Sequence, residues 1–291
     1  MSWLIIGGDG QLGLSFRDLL TELNIPFDFS TIDTLDITNN DDVHAFITQR
    51  KPSVVVNCAA WTAVDAAEDN EKAAFAVNCD GARHVAQAAQ HVGATHVLVS
   101  TDYVFPGNAT SPYKEDDPTG PVSIYGKSKL CGEQAALAEY SSHTYVVRTA
   151  WLYSKYGHNF VKTMTRKALA NDPVRVVNDQ LGQPTHARDL AEHIFKIVTA
   201  QAPAGMYHGT NSGQASWYEL TQSIYQMLGK SSDLVSAVPS TEYPTKAVRP
   251  SFSVLDHQKT IANKIPEMRP WADALRHNME DIRKVIELES S

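Results

Sequence analysis

The most restrictive feature of this chain is its opening. Four apolar residues, Trp3-Leu4-Ile5-Ile6, run into Gly7-Gly8-Asp9-Gly10-Gln11-Leu12-Gly13 and then into an amphipathic stretch over 11–23. Strand, glycine turn and helix in that order let the backbone approach a pyrophosphate and aim helix amides at it. Glycines at 7, 10 and 13 satisfy Gly-x-x-Gly-x-x-Gly. A tight strand-to-helix turn without a ligand would use the same glycines, but the strand before the motif and the helix after it favour dinucleotide binding.

The segments that follow fit a parallel sheet. Residues 27–29 read as the second strand, and Leu35-Asp36-Ile37-Thr38 leads into a helix over 41–50. Val54-Val55-Val56 is a continuous apolar run of the kind buried on both faces of such a sheet. The small residues after it, Asn57-Cys58-Ala59-Ala60, leave room for a cofactor ribose. A loop over 62–65 and one long helix over 71–92 precede the fourth strand, 96–99, which ends at Ser100-Thr101-Asp102-Tyr103. Ligands in open parallel sheets bind outside the carboxyl ends of the strands, so these hydroxyls face the crevice. The polar, turn-rich stretch 106–121 reads as its rim, and 144–148 as the fifth strand.

Beyond about residue 155 the chain alternates between the sheet and a second lobe. Helices are expected over 159–170, 186–199, 216–228 and 271–288, with strands over 174–177 and 205–208. The expected class is α/β, a Rossmann-type doubly wound parallel sheet with a smaller discontinuous substrate lobe. The dinucleotide-binding domain takes 1–155 and 186–209, and the lobe takes 156–185 and 210–291. An acidic residue just past the second strand would favour NAD; here Ser30 and Thr31 stand there, with Asp33 and Asp36 further on, and no arginine is ready for a 2′-phosphate. NADPH and NADH both remain open.

Composition narrows the class further. With 291 residues, 43% hydrophobic and 20% charged, the chain buries a sizeable core. A net charge of −8 without Lys/Arg runs argues against nucleic acid and anionic membrane surfaces, although a local basic pocket for a small anion stays possible. No apolar run approaches a membrane span or a signal-peptide core. Cys58, Cys79 and Cys131 are odd in number and lack Cys-x-x-Cys spacing, which reads as reduced core thiols of a cytoplasmic protein. The eleven histidines show no His-Glu-x-x-His pair, so no catalytic metal is expected.

Ile124-Tyr125-Gly126-Lys127-Ser128-Lys129 opens a Gly- and Pro-poor helical run and sets a phenol and an ammonium on one helix face. A phenol of pKa near 10 needs roughly 4 kcal/mol of preferential phenolate stabilisation to titrate near 7, and a lysine supplies part of it. Such pairs also occur on solvated helix faces. Beside a dinucleotide turn and the strand-end hydroxyl of Thr101, however, they are the parts of a carbonyl-reduction site.

On these residues the chain resembles the extended short-chain dehydrogenase/reductase superfamily and, within it, the dTDP-4-dehydrorhamnose reductase family. The matching stretches are Gly7 to Gly13, Ser100 to Phe105, Tyr125 to Lys129, Asn159 to Met164, Val177-Asn178-Asp179-Gln180, Gly182 to Thr185, Arg249-Pro250 and Ser253 to Asp256, covering nearly the whole chain. The resemblance implies NAD(P)H-dependent reduction of the C4 ketone of dTDP-4-dehydro-6-deoxy-L-mannose to dTDP-L-rhamnose, the last step of dTDP-rhamnose biosynthesis. It implies that Tyr125 protonates the ketone oxygen, that Lys129 lowers the phenol pKa and holds the nicotinamide ribose, and that Thr101 hydrogen-bonds the same oxygen. Gly7, Gly10, Gln11, Leu12, Asp36, Ile37, Ala59 and Ala60 would line the dinucleotide together with Tyr125 and Lys129. Thr62, Tyr103, Trp151, Asn159, Gln183 and Arg249 would meet the sugar nucleotide. Trp151 reads equally well as packing at a strand end, whereas the guanidinium of Arg249 suits a pyrophosphate.

One departure and three alternatives accompany the resemblance. Some members of the family dimerise through magnesium held by glutamates, one of them two residues past the last glycine of the turn. Ser15 stands there in this chain, which implies a monomer or a metal-independent dimer. Dehydratases of the same superfamily follow the threonine with Asp-Glu, and here Tyr103 follows Asp102. Another NDP-4-keto-sugar reductase or epimerase would use the same Thr/Tyr/Lys set. A non-catalytic subunit resembling the regulatory subunit of methionine adenosyltransferase would share the fold without turnover.

Overall fold

Short, largely apolar runs at 3–6, 54–57 and 144–149 form strands buried along their whole length in a parallel sheet with helices on both faces. The structure, a computed structural model, describes residues 1–289. The strands of the main sheet are β1 (Trp3–Ile6), β2 (Phe27–Ser30), β3 (Val54–Asn57), β4 (Thr95–Thr101), β5 (Thr144–Thr149) and β6 (Gly205–His208). All pair in parallel, in the order β6-β5-β4-β3-β1-β2. β2 and β3 flank β1 on opposite sides, so the chain reverses its winding there and opens a crevice between the ends of β1 and β3.

The longer helices are α1 (Gln11–Glu22), α2 (Asn40–Arg50), α3 (Ala82–Val92), α4 (Ile124–Tyr140), α5 (Phe160–Leu169), α6 (Ala187–Thr199), α7 (Trp217–Met227) and α8 (Trp271–Glu289). Leu12 and Phe16 of α1 and Leu190 and Ile194 of α6 pack on one face of the sheet with Trp3, Ile5 and Val54. Val43 and Ile47 of α2 and Val85 and Ala89 of α3 pack on the other with Leu4, Ile6 and Val55. The sheet is therefore doubly wound, as expected. A separate core joins Val161 of α5, Leu220 and Ile224 of α7, and Leu275, Met279 and Ile282 of α8 with Tyr153. Residues 290 and 291, placed in the lobe on sequence grounds, lie outside the described residues. Among the described residues no helix is long and apolar enough to cross a membrane.

The structure departs from the sequence reading in the expected helix over 71–92. It breaks into Glu71–Phe75, a π-helical turn Ala76–Gly81, and α3. The extra residue of such a turn re-aims a side chain. Here that side chain is Asn78, which accepts from the Trp61 amide and donates to the Trp61 carbonyl and to Ser128 of α4, acting as a structural tether. Gly132 of α4 lies so close to the Asn78 carbonyl that a Cβ would overlap it.

That close approach corrects the reading of the cysteines. Cys79 and Cys131 are joined in a disulfide with Cα atoms 5.2 Å apart, leaving Cys58 as the free thiol. They are the chain neighbours of Asn78 and Gly132, so the backbone contact brings them face to face. Pairing across 52 residues leaves no spacing signature in the sequence. A smaller difference lies in the loop expected over 62–65, where a short helix, Val64–Ala67, begins.

Candidate active site

The cofactor end is built mainly from backbone. Gly7 ends β1 at φ +77°, and a Cβ there would sit 2.8 Å from the Ala59 amide, so only glycine lets the ends of β1 and β3 close together. The N-cap of α1 is Gly10, and no side chain caps its first amides. A helix amino terminus left open in this way fits an anion such as a pyrophosphate. A cleft of about 750 Å³ runs along this edge. Gly7, Gly10, Gln11, Leu12, Asp36, Ile37, Ala59 and Ala60 all line it.

The same cleft reaches Thr101, Tyr125 and Lys129. Ser123 caps α4 by accepting from the Gly126 amide, which starts the helix one residue before Tyr125. Gly126 rests on the Tyr103 carbonyl, where any Cβ would overlap. Loss of hydration raises the Tyr125 phenol above its ordinary pKa, and the hydrogen bond to Thr101 only partly opposes this. The phenol thus carries its proton, as a general acid must. Thr101 donates to the Asp102 carboxylate at 3.0 Å and accepts from the Tyr103 amide at 3.2 Å. Burial pushes Asp102 up to about 6, against hydrogen bonds from Ser253 and Thr101. The Tyr103 and Tyr125 rings meet edge to face, 5.5 Å apart.

Lys129 donates to the Val99 carbonyl at 2.7 Å. Burial pulls its ammonium down to about 8, with the Glu133 carboxylate holding it up in part. The Asp102 carboxylate and the Tyr103 phenol push the Tyr125 phenol in the same direction as its burial does. Glu133 itself, one turn beyond Lys129, was not singled out from the sequence. It accepts two hydrogen bonds from Arg148 at 2.9 and 2.7 Å and one from Ser100 at 2.5 Å, all buried. This pair fastens α4 to the ends of β4 and β5. The spacing Lys129-x-x-x-Glu133 continues the face of Tyr125 and was its one signal in the sequence.

The six sugar-nucleotide candidates divide. Thr62, Tyr103 and Trp151 line the cleft, whereas Asn159, Gln183 and Arg249 are not among its lining residues. Asn159 caps α5 and donates to Gln11 at 2.9 Å. Gln183 is buried, accepting from Thr210 and the Leu255 amide and donating to the Leu255 carbonyl. Arg249 pairs with Asp65 at 2.5 Å, and its Nη1 is buried without a hydrogen-bond partner. Sequence reasoning missed Trp217, which lines the cleft against Trp151. The capping box Ser216–Glu219 marks where its helix starts, but nothing local reveals its partner.

The family model described as the RmlD substrate binding domain matches residues 1–284. The chain belongs to this family. A dTDP-4-dehydrorhamnose reductase from Streptomyces griseus is 43% identical to this RmlD-family chain, covering 94% of it and 91% of the relative. A dTDP-4-keto-6-deoxy-D-glucose reductase from Streptomyces niveus is 40% identical over 94% of each. The crystal structure of dTDP-4-dehydrorhamnose reductase from Bacillus anthracis in complex with NADP superposes with a TM-score of 0.92 at 36% identity, covering 96% of this chain and 99% of that one.

Proposed function

We propose that this RmlD-family chain is an NAD(P)H-dependent oxidoreductase that reduces the C4 ketone of dTDP-4-dehydro-6-deoxy-L-mannose to dTDP-L-rhamnose, closing dTDP-rhamnose biosynthesis. The observation that carries the reading is one cleft holding both an uncapped helix amino terminus behind a glycine turn and the Thr101–Tyr125–Lys129 set. Gly7, Gly10, Gln11, Leu12, Ala59 and Ala60 hold the dinucleotide, with Asp36 and Ile37 near its adenosine. When bound, the nicotinamide supplies the hydride. Tyr125 gives its proton to the ketone oxygen, and Thr101 hydrogen-bonds that oxygen and keeps the phenol oriented. Lys129 holds the ribose and, as an ammonium, lowers the pKa of the phenol. Thr62, Tyr103 and Trp151 face the sugar nucleotide. Residues 1–155 and 186–209 serve the cofactor, and 156–185 and 210–291 close over the sugar.

Loss of reduced-nicotinamide absorbance on adding the 4-keto sugar nucleotide, with NADPH and NADH in turn, tests the reading. No oxidation with either cofactor would overturn it in favour of a non-catalytic binding subunit. The 40% identical relative named for dTDP-4-keto-6-deoxy-D-glucose favours one second reading, a reductase of that neighbouring 4-keto sugar. The product's configuration at carbons 3 to 5 separates the two. Ser15 is buried and donates to the Gln11 carbonyl. It offers no carboxylate to magnesium, and we expect a monomer or metal-independent dimer whose light scattering ignores chelators.

A further inference from the structure

The disulfide lies beside the reacting centre. Cys131 stands on α4 just past Lys129, and Cys79 follows Asn78 in the π-helical turn. From Asn78 a short relay reaches the cleft on two sides. Its side-chain amide donates to Ser128, whose hydroxyl donates to the Tyr125 carbonyl at 2.8 Å. The same side chain grips both backbone polar groups of Trp61, which lines the cleft beside Thr62. At its far end the turn touches Ile37, another lining residue: a Cβ on Gly81 would sit 2.7 Å from the Ile37 side chain. The sulfur pair is thus clamped between the two segments whose spacing sets Tyr125 and Lys129.

The contact there leaves little slack. Gly132 lies against the Asn78 carbonyl, and a Cβ on it would also stand 3.2 Å from the Ala82 Cβ. Two thiols need more room than a bonded sulfur pair, because unbonded heavy atoms keep roughly 3.5 Å between centres. Backbone atoms in contact cannot supply that room by changing rotamer. Cys131 is partly exposed whereas Cys79 is buried, so one sulfur is open to an incoming thiolate and the other is shielded. Burial pushes the remaining thiol, Cys58, up to about 12, so it does not compete as a thiolate.

We propose that Cys79 and Cys131 form a site of thiol–disulfide exchange with a dithiol reductant, and that opening it spreads the contact between Asn78 and Gly132 and shifts the part of α4 that carries Tyr125 and Lys129. One thiolate of the reductant attacks the Cys131 Sγ. The bond to Cys79 breaks, and Cys79 leaves as a thiolate that takes a proton. The second thiol of the reductant then displaces Cys131 from the mixed disulfide, and Cys131 is protonated in turn. The reductant loses two electrons and closes its own disulfide, and the chain gains them as two thiols. The closed form holds Tyr125 and Lys129 in place and is the faster enzyme. The effect on turnover rests on the reductase reading above, whereas the exchange and the shift of α4 do not.

The test equilibrates the folded wild-type chain with dithiothreitol at a series of reduced-to-oxidised ratios. Alkylation with mass spectrometry counts the opened thiols, kcat is measured with the 4-keto sugar nucleotide and NADPH, and hydrogen exchange is followed over 124–132. The pair is expected to open without unfolding, and amides over 124–132 to exchange faster as it does. Turnover is sensitive to displacements below 1 Å, so kcat is expected to fall by roughly tenfold and to return on reoxidation. Cys131→Ala removes one sulfur and leaves the backbone contact, so it keeps the kcat and exchange of the closed form at every ratio. Cys79→Ala serves in its place should it fail to fold, and should neither fold, the wild-type titration decides alone. A pair that opens only in denaturant would overturn the proposal, as would opening that leaves kcat or exchange unchanged. An alanine variant as slow as the opened wild type would also overturn it, by showing that the sulfurs act only as a tie. A wild type that oxidises no NADPH in either form fails the reductase reading, and exchange over 124–132 then decides the switch: faster on opening supports it, unchanged sinks it.

Discussion

At the cofactor end of the cleft the lining is glycine turn and strand ends, with backbone amides turned inward; at the substrate end it is side chains carried in from distant segments. All ten dinucleotide positions expected from the sequence line the cleft, whereas the six sugar-nucleotide positions split into three that line it and three bonded elsewhere. A pocket shaped by backbone can be read locally, because the strand, the glycine turn and the helix that shape it are consecutive in sequence. A pocket shaped by side chains depends on which of them tertiary packing leaves free, and Gln183 and Asn159 are ordinary polar residues until their partners are known.

The sharpest way to break that contrast is at the reacting centre, where the two ends meet. Tyr125→Phe keeps the ring and removes its acidic hydrogen, so kcat is expected to fall by roughly 10²-fold or more, with cofactor and nucleotide affinities nearly unchanged. Retained turnover in this variant would remove Tyr125 from the proposed chemistry. Next in size is Arg249→Ala. If the guanidinium turns from Asp65 to a pyrophosphate on binding, substrate affinity falls by about 2 to 5 kcal/mol while NADPH binding holds. A drop in Tm without a change in KM would return Arg249 to the structural residues beside Gln183.

A third measurement is the pH profile. The folded Lys129 pKa lies near 8, below the ordinary lysine value, so the ammonium is lost as pH rises through about 8. We expect kcat/KM to decline above that point by about tenfold per unit, and the decline to vanish in Lys129→Met. Stability moves the opposite way. Between about 8 and the ordinary lysine pKa of about 10.4 the unfolded chain binds the extra proton, so the penalty of burying Lys129 shrinks as pH rises. A flat profile to pH 10 would show that its charge is not required. The smallest effect is expected for Gln183→Ala, which takes the buried side-chain partner from both the Leu255 amide and the Leu255 carbonyl. It should lower stability by about 1 to 3 kcal/mol in denaturant melts and leave KM alone. A changed KM with unchanged stability would move Gln183 into the site.

Much of the architecture was legible because its signals are local. Val54-Val55-Val56, the glycines at 7, 10 and 13, and Asn159 and Ser216 at helix starts each fix an element without help from the rest of the chain. What stayed hidden depends on helices approaching one another. The π-helical turn, the Cys79–Cys131 pair and the buried Glu133–Arg148 pair all arise where α4 meets other elements, and no single segment carries them. The stacking of Trp217 on Trp151 is hidden for the same reason, since two tryptophans far apart in sequence have no shared periodicity.

Gly126 and Gly132 set α4 against carbonyl oxygens on either side of Lys129. Main-chain atoms have no rotamers, so these two points act as fixed bearings. A side chain trimmed in the core between α5, α7 and α8, against which Trp151 and Trp217 pack, can loosen packing there without passing that slack to the phenol. Melting temperature and turnover are then separable properties of this molecule. Substitutions in that second core should lower the temperature at which it fails long before they change how fast it works below it.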